Sequence, residues 1–187
     1  MTQSRLMEAL RTYAERFPDE NPVVATFLEL IDAWPDCLSR DHLPGHLTAS
    51  GWVVHGASPS VLLTHHRKLD KWLQLGGHAD GDPDLPAVAA REIVEESGLR
   101  AFSAEGDPNV PFDIDIHEIP SYGDVPRHWH YDLRFAYNAP EQIPPVVSDE
   151  SHDVAWVALS QLEQFTAEES MVRMRDKWRR LSSPSAR

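Results

Sequence analysis

The sequence predicts an α/β (α+β) fold, a sandwich built on a mixed sheet, with an N-terminal helical extension. Three observations lead there. Apolar residues recur at helical spacing up to Trp34. From Leu47 the pattern changes to short Val-, Thr- and Leu-rich runs. Among those runs lies one further helical segment, and another closes the chain, so strands surround a central helix.

The elements follow in order. Residues 3–17 place Leu6, Ala9, Leu10, Tyr13 and Phe17 on one helical face. Asn21 is suited to cap a second helix, with Pro22 in its first turn. Val23, Val24, Phe27, Leu28, Ile31 and Trp34 form its apolar face, and Pro35 ends it. Leu43-Pro44-Gly45 reads as a turn. The segments 47–55 (LTASGWVVH) and 60–66 (SVLLTHH) read as a hairpin around Gly56-Ala57-Ser58-Pro59. A helix is expected over Leu85–Ser97, capped by Asp84 and stopped by Gly98. Residues 112–119 alternate Phe112, Ile114 and Ile116 with Asp113, Asp115 and His117, the pattern of a half-buried strand. Residues 128–137 and 152–159 are further strands. The last helix spans about Ala167 to Leu181, with Lys177, Arg179 and Arg180 near its C-terminal end, where cations suit the helix dipole. A short tail follows. Residues 1–46 are thus expected to form the extension and 47–187 the main domain.

Composition narrows the function classes. The chain has 187 residues, 41% of them hydrophobic, and a net charge of −13. That charge opposes broad contact with a nucleic-acid backbone, which requires a basic footprint. It is compatible with a small phosphorylated substrate held through divalent cations, and equally with plain solubility. No apolar run approaches the ~18 residues of a membrane span. The N-terminal residues lack the features of a signal peptide. With a single cysteine, Cys37, no internal disulfide can form, so a reducing, cytoplasmic setting is expected.

The chemistry concentrates in 91–99, Arg-Glu-Ile-Val-Glu-Glu-Ser-Gly-Leu. Glu92, Glu95 and Glu96 stand at i, i+3 and i+4, so they project from one helical face. They also lie in the last turns of the helix, where the dipole disfavours each acid by ~0.3–1 kcal/mol. A hard divalent cation reverses that sign, because magnesium prefers carboxylate oxygen. A solvated acidic face is the plainer reading of the cluster by itself. Upstream, Leu75-Gly76-Gly77-His78 opens a loop containing Asp80, Gly81, Asp82 and Asp84. Paired glycines there let the backbone approach a ligand closely.

Together these residues resemble the Nudix box: Gly, five residues, Glu, seven residues, then Arg-Glu-aliphatic-X-Glu-Glu-X-Gly-aliphatic. Gly77, Arg91, Glu92, Ile93, Glu95, Glu96, Gly98 and Leu99 match at the family's spacing. One defined position departs: Pro83 stands where the family has its first glutamate, flanked by Asp82 and Asp84 in a different register. The resemblance implies a Nudix-type α/β/α sandwich and Mg2+-dependent pyrophosphohydrolase activity, with Mn2+ as a substitute. It implies that Glu92, Glu95, Glu96 and the Gly76 carbonyl hold metal, that Arg91 orients a glutamate by an ion pair, and that Gly77 and Gly98 shape the loop and the helix end. A late-loop glutamate matching Glu150 would complete the site or serve as general base, alongside Glu95; Asp149 and Glu118 compete for that place. The implied reaction is attack of water on a diphosphate linkage in a nucleoside diphosphate derivative or related small molecule, with no membrane partner. A homodimer is also in keeping with the family.

Around that box several residues suit a substrate. Arg67 and His78 could reach phosphate. His128 and His130 alternate along a strand with Asp132 on the same face, open to phosphate or base contact, to burial as a satisfied pair, or to zinc. Zinc lacks a further Cys or His at evident ligand spacing. Tyr122 or Trp129 could stack on a base, and Trp129 is expected in the core. Two rival readings keep the fold. A catalytically weak binding or regulatory module would usually have lost box glutamates, and all three are present. Isopentenyl-diphosphate isomerase would need a cysteine before its Gly-His pair, where this chain has Gly76.

Overall fold

The structure is a computed structural model describing residues 2–56, 59–121 and 123–182. The tight part of the expected hairpin turn (Ala57, Ser58), Tyr122 and the tail beyond Ser182 lie outside the described residues.

Helices α1 (Gln3–Arg16) and α2 (Asn21–Ala33) form the extension. Leu6, Leu10 and Tyr13 of α1, with Val24, Phe27 and Ile31 of α2, are buried in one cluster with sheet residues such as Leu47 and Leu133. Asn21 does not cap α2. The Pro18–Glu20 3-10 turn runs directly into it, so Asn21 is already helical. Trp34 is 50% exposed because it follows the last turn and leaves the apolar face.

The strands are β1 (Gly45–His55), β2 (Ser60–His66), β3 (Lys71–Leu73), β4 (Leu75–His78), β5 (Ser103–Ala104), β6 (Asp113–Ile119), β7 (His128–Ala139) and β8 (Ser151–Ala158). They make one mixed eight-stranded sheet. β1 and β7 run parallel along their whole length at its centre. β1 meets β2 only at Val54–Val61 and His55–Ser60; its N-terminal half pairs with β4 instead. The expected hairpin is therefore short, and β2 continues onto β8.

Helix α3 (Leu85–Ser97) packs on β1 and β4, and α4 (Glu169–Leu181) covers the opposite face. Alternation along the strands decides which residues meet which helix. Leu47, Ala49 and Gly51 of β1 face α2 and α3; a Cβ at Gly51 would strike Ile93. Trp52 and Val54 face α4 with Met171, Met174 and Trp178. This is the expected α/β/α sandwich. None of the described helices is long and apolar enough to cross a membrane.

Between the central strands and α4 the sheet is polar. Asp132 accepts hydrogen bonds from Thr48 (3.0 Å), Ser50 (2.8 Å), Gln74 (3.1 Å) and Arg134 (2.9 Å). Asp113 accepts from Arg134, Arg173 and Lys177, and Asp115 from Arg134 and Arg173. Residues 113–119 form the expected strand, but it is half-buried only from Asp115 onward: Asp113, on the face expected to be solvated, is 0% exposed. Lys177 does not serve the helix dipole; it lies inward on Asp113, Tyr13 and Glu20.

Candidate functional site

The box residues meet at the edge of β4. Helix α3 begins with Asp84, whose side chain makes no capping bond; Asp82 instead accepts the Asp84 N–H at 2.9 Å. The helix ends where Gly98 turns left-handed at φ 71°, a conformation disfavoured for residues with a Cβ, and its N–H reaches Val94. Ile93 and Ala89 anchor α3 to the sheet, which aims Glu92 and Glu96 at the glycine pair.

The three acids differ in setting. Glu96 is buried and accepts the Gly76 N–H at 2.9 Å. Glu92 lies against Gly77, where a Cβ would come within 2.5 Å of its carboxylate. Glu95 is exposed, with Arg91 Nε 3.9 Å away; Arg91 also reaches Asp82 at 3.5 Å. Burial, together with the negative charge of Glu95, pushes Glu92 up to about 7, and Arg91 does not cancel the effect. Burial pushes Glu96 up to about 8, helped by Glu92 and Glu150 and opposed by the Gly76 N–H. Glu150 thus sits within electrostatic reach of both. A divalent cation fits this donor set: hard carboxylate oxygens, crowded and with too little positive charge among them.

Arg67, expected to face phosphate, is turned to the Glu150 loop instead. Its guanidinium donates to the carbonyls of Asp149 (3.0 Å) and Ser151 (2.6 Å), and its N–H to that of Glu150 (2.9 Å). It fixes the loop that presents Glu150. Asp149, whose carbonyl is held in this way, is exposed, and Glu118 is bound to Arg127 at 3.3 Å. Pro83 is exposed in the loop before α3. Trp129 is 42% exposed rather than core, because it stands at the start of β7 beyond the cover of the helices.

The histidines come together on the α4 face of the sheet, one strand position from the glycine pair. His78 pairs with Thr48 and His130 with His46, so all share one face with His128. His46 was not singled out by its sequence context. It meets His130 only through the parallel β1–β7 register, which no local pattern reveals. Burial, with Arg40 and His46 nearby, pulls His78 down to about 4. Burial, with His78 and His46 nearby, pulls His130 down to about 2. His78 and His130 are thereby held in the neutral form at ordinary pH.

Comparison with known proteins agrees with this geometry. A family model described as the NUDIX domain matches residues 45–177. Solved structures with the same fold include a C. elegans Ap4A hydrolase (16% identity, TM-score 0.58, covering 72% of this chain and 96% of that one). A NUDIX-family hydrolase from Clostridium perfringens is 24% identical, with TM-score 0.57 over 73% and 98% of the two chains. The E. coli dihydroneopterin triphosphate pyrophosphohydrolase is 16% identical, with TM-score 0.55 over 71% and 93%. No curated protein sequence matches the chain. These structures share the fold, and the domain model spans the sheet, the box helix and most of α4: the chain belongs to the Nudix family and is a hydrolase of phosphoanhydride bonds.

Proposed function

We propose that this chain hydrolyses a diphosphate linkage in a nucleoside diphosphate derivative or related small molecule, and that the reaction depends on Mg2+, with Mn2+ as a substitute. The observation that carries the reading is the crowding of Glu92 and Glu96 against Gly76 and Gly77, with Glu150 presented beside them. Glu92, Glu95, Glu96 and the Gly76 carbonyl would hold the cation, which when bound would neutralise the diphosphate and help a water to ionise. Glu150 or Glu95 orients that water and takes its proton. Arg91 restrains Glu95, and Arg67 holds the Glu150 loop in place.

Supporting the substrate class, the similar structures include an Ap4A hydrolase, a dihydroneopterin triphosphate pyrophosphohydrolase, and the NUDIX domain of Shewanella oneidensis NrtR in complex with ADP ribose. All three ligands carry phosphoanhydride bonds. His78 follows the glycine pair on β4, His128 and His130 stand on β7 across β1 from it, and the three are the proposed contacts to the remainder of the substrate.

The test is incubation with a panel of nucleoside triphosphates, dinucleoside polyphosphates, ADP-ribose-like compounds and non-nucleotide diphosphates in Mg2+. At least one should be cleaved, and Glu96→Gln should slow that cleavage by ~10²–10⁴-fold, the usual range for losing a positioned catalytic group. Cleavage at the same rate by Glu96→Gln, or without divalent cation, overturns the reading.

A further inference from the structure

Five imidazoles converge at the ends of neighbouring strands. His46 lies near the start of β1, His78 ends β4, His128 and His130 open β7, and His117 pairs with His130 from β6. His46, His78 and His130 each present a ring nitrogen, all within 4.8 Å of one another. Their ring centroids are 4.9–5.2 Å apart.

Two hydrogen bonds show what the free nitrogens are. His46 is 1% exposed, and its Nδ1 lies 3.3 Å from the His42 carbonyl. A carbonyl only accepts, so Nδ1 carries the hydrogen and Nε2 is a bare lone pair. That Nε2 is buried with no hydrogen-bond partner among the described residues. An unmet buried acceptor is unfavourable, and natural folds seldom leave one without a reason. In His128, Nδ1 donates to the Pro126 carbonyl at 2.9 Å, so its Nε2 accepts a hydrogen bond from His130 Nε2 at 3.3 Å, a proton that a bound metal ion would replace. Two nitrogens each 2.0–2.1 Å from a tetrahedral zinc ion would lie ~3.4 Å apart. A backbone carbonyl on the far ring nitrogen is also how proteins orient metal-binding histidines.

We propose that His46, His78 and His130 form a binding site for a zinc-class transition-metal ion, separate from the glutamate site. The fourth position falls to His128, whose Nε2 is already 3.3 Å from that of His130, or to water. Neutral imidazole suits zinc, copper, nickel and iron, whereas magnesium selects oxygen donors, so the two sites take different metals. They adjoin along β4, where His78 directly follows Gly76 and Gly77. Around the rim, Arg40 is bonded to Asp80, and His117 to Asp115 at 3.2 Å. A metal ion held there would take the place of the bare imidazoles as the contact to substrate, and the inference does not rest on hydrolysis.

The test is titration of chelator-treated, full-length protein with Zn2+ by calorimetry, in excess Mg2+ to occupy the glutamates. Wild type and Glu96→Gln should bind one equivalent, and His46→Gln and His130→Gln should lose that binding while keeping wild-type circular dichroism. Should a histidine variant fail to fold, Co2+ added to wild type decides: strong visible bands mark tetrahedral nitrogen ligation, and the weak spectrum of octahedral oxygen ligation overturns the proposal. No saturable Zn2+ binding by wild type, or equal binding by folded His46→Gln, overturns it as well.

Discussion

On the α4 side of the sheet, Asp113, Asp115 and Asp132 interleave with Arg134, Arg173 and Lys177; on the box-helix side, Glu92 and Glu96 press against a glycine pair with Glu150 beside them. Both regions place carboxylates out of water, and burial acts on both in the same direction, against ionisation. Around Asp113, Arg173 donates hydrogen bonds and Arg134 and Lys177 add positive charge, which overcomes burial and holds its carboxyl below the ordinary range. Asp115 is held low in the same way, by a hydrogen bond from His117 and by Arg134 and Arg173. Around Glu92 and Glu96 the neighbouring charges are largely further acids, and both carboxyls are pushed up, to about 7 and about 8. Matched charges make a scaffold that is complete as folded. Unmatched charges mark a place shaped for something that arrives later. The histidine cluster is uncharged, and its unmet feature is the Nε2 of His46, unpartnered among the described residues.

If that distinction is right, substitutions in the two regions should have opposite signs. Arg134→Met should destabilise the protein by ~3–5 kcal/mol in urea unfolding, because it leaves the buried Asp113 and Asp132, and the partly buried Asp115, short of their partner. Glu96→Gln, measured by the same unfolding in EDTA, should leave stability unchanged or raised, since it removes an acid that resists ionisation; a loss comparable to that of Arg134→Met would break the comparison. Gly77→Ala sharpens it. The new Cβ displaces the flexible end of Glu92, so kcat/KM in Mg2+ should fall by up to ~10²-fold with the melting temperature little changed.

The smallest effect is one of pH. In EDTA, between the ordinary glutamate value of 4.5 and about 8, the folded chain keeps protons on Glu92 and Glu96 that the unfolded chain has released. Stability tied to these groups therefore falls as pH rises through that window. The melting temperature should drop by a few degrees from pH 6 to pH 8.5, and saturating Mg2+ should abolish or reverse the drop. The same slope with and without Mg2+ would detach these carboxylates from metal binding.

The sequence by itself determined the box helix, its glycine stop, the alternation of strands and the helical extension. Each is encoded in spacing over a few residues, and periods of 3.6 and 2 survive any tertiary arrangement. It also brought Glu92, Glu95 and Glu96 onto one helix, so the family could be read from a short stretch. Tertiary structure decided the separate fates of those acids. Glu96 is buried and Glu95 exposed because the sheet approaches α3 from one side only. It decided that Arg67 braces the Glu150 loop and that Lys177 turns inward, since both depend on partners far along the chain. It also brought His46 to His78 and His130. Parallel pairing of β1 with β7 joins residues 84 positions apart (130 − 46), a contact set by register and topology, for which spacing along the chain carries no signal.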